Sequence, residues 1–109
     1  MRRAAAIVLA LATLAAAPHA HADAIDGEWC SPKGQNILIE GPRIRLPSGV
    51  SIEGQYRRHE FAYEPPMDDP DAGQIIYMQQ LSEEMMHLRR VKDGVAGEPE
   101  LWRRCNVTS

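Results

Sequence analysis

The sequence predicts an all-β protein: a single small antiparallel meander of about seven strands, forming a curled sheet or an up-and-down barrel and tied by one disulfide. Three observations carry that expectation. Short runs of β-forming residues alternate with tight-turn residues at close intervals. No stretch places apolar residues at helical spacing for three turns. One cysteine stands near each end of the chain that follows an export signal.

The signal comes first. Met1-Arg2-Arg3 is a short basic start, Ala4 to Ala17 an apolar run, and Ala20-His21-Ala22 an A-x-A cleavage site. The run is too short to cross a bilayer as a helix, which takes about 20 residues. Arg2-Arg3 lacks the flanking residues of a twin-arginine signal and no cysteine follows the cleavage site to carry a lipid, so general secretion is expected. Residues 1–22 are expected to be removed near Ala22, leaving residues 23–109 as one periplasmic or secreted domain without membrane insertion. In an oxidising compartment Cys30 and Cys105 are expected to pair with each other. A domain this small is marginal on its core alone, and closing so long a loop contributes about 4.5 kcal/mol in the chain-entropy account.

The strands follow in order. Glu28 to Cys30 ends at the turn residues Ser31-Pro32-Lys33-Gly34; Asn36 to Glu40 ends at Gly41-Pro42; Arg43 to Leu46 ends at Pro47-Ser48-Gly49. Val50 to Tyr63 reads as one long strand, but its inward positions switch parity between Arg57 and Glu60, which calls for a bulge or bend there, with Gly54 as a second candidate for a kink. After the Pro65 to Gly73 segment come Gln74 to Leu81 and Met85 to Val91. Turn residues from Asp93-Gly94 through Pro99 lead to a last strand, Leu101 to Val107. Trp29 and Trp102 each point away from the face of the nearby cysteine, so pairing of the first and last strands would put both indoles on one face. That pairing would close a meander into a barrel and remove its edges. An open two-layer sheet is the alternative.

Charge narrows the partners. Twelve Lys and Arg stand against 15 Asp and Glu, and loss of Arg2 and Arg3 takes the formal net charge from −3 to −5. Such a domain has no footprint for nucleic acid or anionic membrane, and a monomer is expected. No cofactor is expected. The chain has no G-x-S-x-G, H-E-x-x-H or phosphate-loop pattern, so it is not expected to be an enzyme. His59 and His87, with Glu60 and Glu83-Glu84, could be drawn as a metal site, but the spacing matches no ligand motif and no metal is expected. Asp68-Asp69-Pro70-Asp71 lacks the order of a calcium loop and reads as a proline-stiffened surface segment. Asn106-Val107-Thr108 matches a glycosylation acceptor, which a bacterial export signal makes irrelevant. Met78, Met85 and Met86 read as core filler.

Three predicted strands contain diarginine, Arg57-Arg58, Arg89-Arg90 and Arg103-Arg104. Alternation sends one member of each pair inward. Arg58, Arg90 and Arg104 are the candidate ligand-binding cations, with Trp29, Tyr56 and Trp102 beside them, a set suited to a small carboxylate or phosphate ligand. The competing reading uses Glu28, Glu40, Glu53, Glu60 and Glu100 as ordinary cross-strand partners for the arginines.

Asp26-Gly27-Glu28-Trp29-Cys30-Ser31-Pro32 through Leu38-Ile39-Glu40, with Tyr56-Arg57-Arg58-His59-Glu60-Phe61 and Trp102-Arg103-Arg104-Cys105, resembles small exported β proteins of proteobacteria, a resemblance that implies no activity. The opening Gly-x-Trp is similar to the first strand of lipocalin-like barrels. Two functions remain open. One is a non-enzymatic module holding a small anionic ligand, or a periplasmic protein, at the barrel mouth or on one sheet face. The other is an inhibitor or interaction protein acting through the acidic Pro65 to Gly73 loop, for example against a lysozyme or a protease, whose basic cleft an acidic, stiff loop would suit.

Overall fold

The computed structural model describes residues 24–105. The predicted leader, the Asn106-Val107-Thr108 pattern and the end of the last predicted strand lie outside them. Within them the protein is all-β and contains no helix. Ten short strands occur where seven are predicted: β1 (Gly27–Cys30), β2 (Asn36–Glu40), β3 (Arg43–Arg45), β4 (Ser51–Glu53), β5 (Gln55–Arg57), β6 (Glu60–Tyr63), β7 (Ile75–Gln80), β8 (Met85–Lys92), β9 (Val95–Ala96) and β10 (Glu100–Arg104).

All pairings are antiparallel, in the order β4-β3-β2-β1-β10-β8-β7-β6-β5, with β9 joined to β8 alone. The first and last strands pair, Trp29 opposite Arg104 and Cys30 opposite Arg103. Cys30 and Cys105 are bonded across that seam with their Cα atoms 5.2 Å apart. Sequence reasoning places both features.

The two ends of the hydrogen-bonded path, β4 and β5, are consecutive in the chain and separated by Gly54 alone. One bent strand therefore pairs with β3 through its first half and with β6 through its second, which nearly closes the barrel. Gly54 permits the bend. Its amide donates to the Pro42 carbonyl at 2.8 Å, and a Cβ there would collide with the Ala62 carbonyl oxygen and lie 2.7 Å from the Phe61 ring. Any larger residue must force these strands apart.

The predicted strand Val50 to Tyr63 is therefore three strands. The parity switch near Arg57 is a full chain reversal, a hairpin through Arg58-His59 that sets Arg57 opposite Glu60 and Tyr56 opposite Phe61. The region after Asp93 also differs, since the two-residue Asp93-Gly94 turn folds β9 back onto β8, Lys92 opposite Val95.

The interior is filled. Ile37, Ile39, Ile44, Leu46, Phe61, Tyr63, Ile76, Met78, Met86 and Leu88 contribute alternate positions of five hairpin-connected segments, and Trp29, Trp102 and Ile25 complete the cluster. Both indoles are on the inner face and are almost fully buried, while the disulfide lies on the other side of the same two strands, as the alternation requires. Charge ladders cover the outside: Glu40 and Glu53 flank Arg43, and Arg45 lies 3.6 Å from Glu28.

Candidate functional site

Up-and-down connectivity gives the barrel two ends. The β1–β2 and β3–β4 turns, the long β6–β7 loop and the β8–β9 hairpin share the upper end; the β2–β3, β5–β6 and β7–β8 turns share the lower one.

The chain itself occupies the lower end. Ala24 and Ile25 are buried just before β1. The Ile25 amide donates to the Arg58 carbonyl at 2.8 Å, and the Trp29 indole donates to the Ile25 carbonyl at 2.8 Å. Asp26 accepts from the Gly41 amide at 2.8 Å through one carboxylate oxygen and from the Tyr56 hydroxyl through the other. That second bond, with burial behind it, pushes the Tyr56 phenol from 10.0 up to about 12. Arg104 lies over the Trp29 ring, 4.1 Å from its centre. Its guanidinium donates to the carbonyls of Ala24 at 2.6 Å, Glu83 at 2.7 Å, and Asp26. Burial holds Arg104 below the usual guanidinium range, against the pull of Asp26, Glu83 and Glu84. Gly27, at φ +118°, leaves the room that Arg104 fills; a Cβ there would meet the guanidinium.

The upper end holds a cavity of about 430 Å³. Its floor is core: Ile37, Leu88 and Trp102, each 3 % exposed or less. Its wall carries Arg90, with Nε 3.1 Å from an Asp71 oxygen and Nη1 3.5 Å from a Glu100 oxygen. Burial alone would lower the Arg90 guanidinium, but the hydrogen bond and charge of Asp71, joined by Glu100, raise it. The same Glu100 oxygen accepts from the Trp102 indole at 2.9 Å. Tyr63 lines the cavity with Asp69 and Asp71, and burial, with these two charges behind it, pushes its phenol well above the usual range. Lys33 and Asp69 complete the charged rim.

The predicted site residues thus divide. Arg90 and Trp102 meet at the upper cavity. Trp29, Tyr56 and Arg104 meet at the lower end around Ala24–Asp26, with the exposed Arg58 close enough to the Tyr56 hydroxyl to ease its ionisation. The three arginines do not converge on one cavity, for a geometric reason. Arg90 and Arg104 both continue inward rows, two residues beyond Leu88 and Trp102, but β8 and β10 are antiparallel neighbours, so their C-terminal ends lie at opposite ends of the barrel. Sequence reasoning missed Asp26 and Tyr63 as site-forming groups, and it placed Asp69 and Asp71 in an acting loop without joining them to Arg90. The loop prolines mark the third element of the rim, but nothing local marks which acid reaches Arg90.

Other chemistry is committed to structure. The Ser31 hydroxyl accepts from the amides of Lys33 and Gln35, both at 3.1 Å, and so holds the β1–β2 turn. Ser48 and Ser82 accept from amides in their own turns. Among the described residues no three His, Cys, Asp or Glu side chains gather as a metal group, and no helix is long and apolar enough to cross a membrane.

Fold and site together define a small, nearly closed antiparallel barrel whose lower end is filled by residues before β1 and whose upper end holds its more enclosed cavity. Comparison with family models, curated proteins and solved structures finds no match to this chain.

Proposed function

We propose that the protein is a non-enzymatic binding module, exported and cleaved near Ala22, that receives its ligand at the upper mouth. The observation that carries this reading is the asymmetry of the two ends. Both interrupt the inward side-chain rows, yet Ala24, Ile25 and Asp26 fill the lower one and leave only shallower depressions, beside Asp26 and Gly41 and between His59 and Glu83, whereas the upper one keeps a more enclosed cavity rimmed by charged groups from three separate elements. A concave site with a few convergent polar groups over an apolar base is the usual form of a small-ligand site. The disulfide agrees with an oxidising compartment.

A screen of small polar and peptide ligands by amide and indole NMR shifts tests it. Binding at the mouth perturbs Lys33, Gln35, Ser48, Tyr63 and residues 69–71 while the Trp29 indole stays in place. Ligands whose shifts gather at the outer faces of the strands instead would remove the reading.

One further observation favours a partner-binding role for the β6–β7 loop. Met67 is 92 % exposed, and it follows Pro65-Pro66 in a loop folded on itself through bonds from Asp69 to Pro66, Ala72 to Asp69 and Gln74 to Asp71. A preorganised loop presenting an apolar tip among Glu64, Asp68 and Asp69 loses little entropy on docking into a basic cleft. Titration into a lysozyme assay at moderate salt is the first check, and unchanged activity at large molar excess ends the lysozyme version.

A further inference from the structure

The upper mouth is charged, and its central charges are paired with one another. Arg90 stands between Asp71 and Glu100, at 3.1 and 3.5 Å. Asp69 shares the rim and Lys33 faces it. Counting formal charges, two cations meet three carboxylates. An anion approaching the remaining Arg90 N–H groups meets two carboxylates already bonded to that guanidinium, and Asp69 as well. A cation meets Arg90 and Lys33. Arg90, already compensated, gains little from a second counter-ion, and Lys33 is the one rim cation without a bonded carboxylate among the described residues.

The floor offers an apolar ligand little, since Ile37, Leu88 and Trp102 are 1 %, 3 % and 2 % exposed, and the apolar surface that lines the mouth is matched by polar surface of about the same extent. What the wall does offer is alternation. Asp71 and Arg90 line the cavity with the Tyr63, Pro47 and Pro70 rings, and Glu100, bonded to Arg90 and to the Trp102 indole, continues the row, so that acceptor, donor and acceptor stand side by side. A hydroxyl both donates and accepts, so adjacent hydroxyls can bond such a row without displacing any member of it.

We propose that the upper mouth recognises a neutral polyhydroxylated ligand, a saccharide of one or two rings, through the Asp71–Arg90–Glu100 row, and that this row excludes small anions. The inference rests on the mouth being a binding site and names the ligand class that site takes. A cavity of about 430 Å³ accommodates a ligand of that size. Binding is weak, because the site adds hydrogen bonds but little buried apolar area.

The two indole N–H signals give an internal test, since Trp102 donates to Glu100 at the mouth and Trp29 donates to Ile25 at the far end. The probes are maltose and diacetylchitobiose as neutral saccharides, with citrate and phosphate at matched ionic strength. The expected result is a saturable shift of the Trp102 signal by a saccharide, half-complete below about 10 mM, with Trp29 unmoved and no saturable shift from either anion. The paired change Asp71→Asn with Glu100→Gln frees Arg90 while leaving an acceptor for Trp102. It should weaken the saccharide and raise citrate affinity by about tenfold or more. An unmoved Trp29 signal reports that the fold is intact in that variant. If citrate or phosphate saturates the Trp102 shift of the parent protein as tightly as a saccharide does, the ligand class is wrong while the mouth remains a site. If no probe moves Trp102 in either protein, the inference and the mouth reading fall together.

Discussion

The two ends of this barrel begin from the same chemistry and reach different outcomes. Each has an inward arginine two residues past the last core residue of its strand, and each has a tyrosine, carboxylates and an indole nearby. At the lower end Arg104 is answered by backbone carbonyls of Ala24, Asp26 and Glu83 and by the face of Trp29. At the upper end Arg90 is answered by two side-chain carboxylates beside open space. Backbone partners come with the chain and close the end for good. Side-chain partners on a rim leave room. An arginine in a barrel end therefore says little about ligands until its partners are known.

Four measurements would break or sharpen that contrast. The largest effect should come from Cys105→Ser, which opens the seam next to Arg104, where the Cys105 amide bonds the Glu28 carbonyl. A loss of about 2–5 kcal/mol is expected in urea unfolding, and a variant that melts with the parent would show that hydrogen bonding alone holds β1 to β10. Next is Arg104→Met, which leaves carbonyls of the plug unanswered and uncovers Trp29; about 2 kcal/mol is expected.

Tyr56→Phe should cost about 1 kcal/mol at neutral pH through the lost bond to Asp26. Its pH dependence is distinctive. The folded protein holds the Tyr56 proton up to about 12, whereas the unfolded chain releases it near 10.0. The contribution is complete below pH 10 and is lost as pH rises toward 12, because unfolding then releases a proton. The gap between parent and Tyr56→Phe should accordingly narrow across that window, and a gap that widens would contradict the assigned bond. The smallest effect belongs to the upper end. Arg90→Met breaks two partly exposed ion pairs and should cost less than about 1 kcal/mol. If it destabilises as much as Arg104→Met, the two ends do not differ in the way described.

Much of this architecture is legible in the sequence because it is written at short range. Turn residues bracket β2 and β3 closely and mark the start of β7 and the end of β8, and alternation places both indoles inside and the disulfide outside. The failures have physical reasons too. The Arg58-His59 reversal carries none of the glycine, proline, asparagine or aspartate that marks a tight turn, so only the parity switch betrays it. Strand β9 is two residues long, and its single clue is Asp93-Gly94 with two residues on either side that can pair. The division of the arginines was available in principle, since antiparallel neighbours carry their C-terminal residues to opposite ends. The plug was not, because Ala24-Ile25-Asp26 has no period and, Trp29 apart, its partners lie 15 to 80 residues away.

The bridge between Cys30 and Cys105 spans 75 positions, so it encloses almost every connection in the barrel. A protease that cuts any turn between the two cysteines, the exposed Met67 loop first among them, makes two fragments that stay covalently joined. Each remains at the other's side at high effective concentration, with most strands still paired. A nicked molecule of this kind migrates as one species until it is reduced, and it persists in surroundings where an unbridged barrel of the same size would come apart after its first cut.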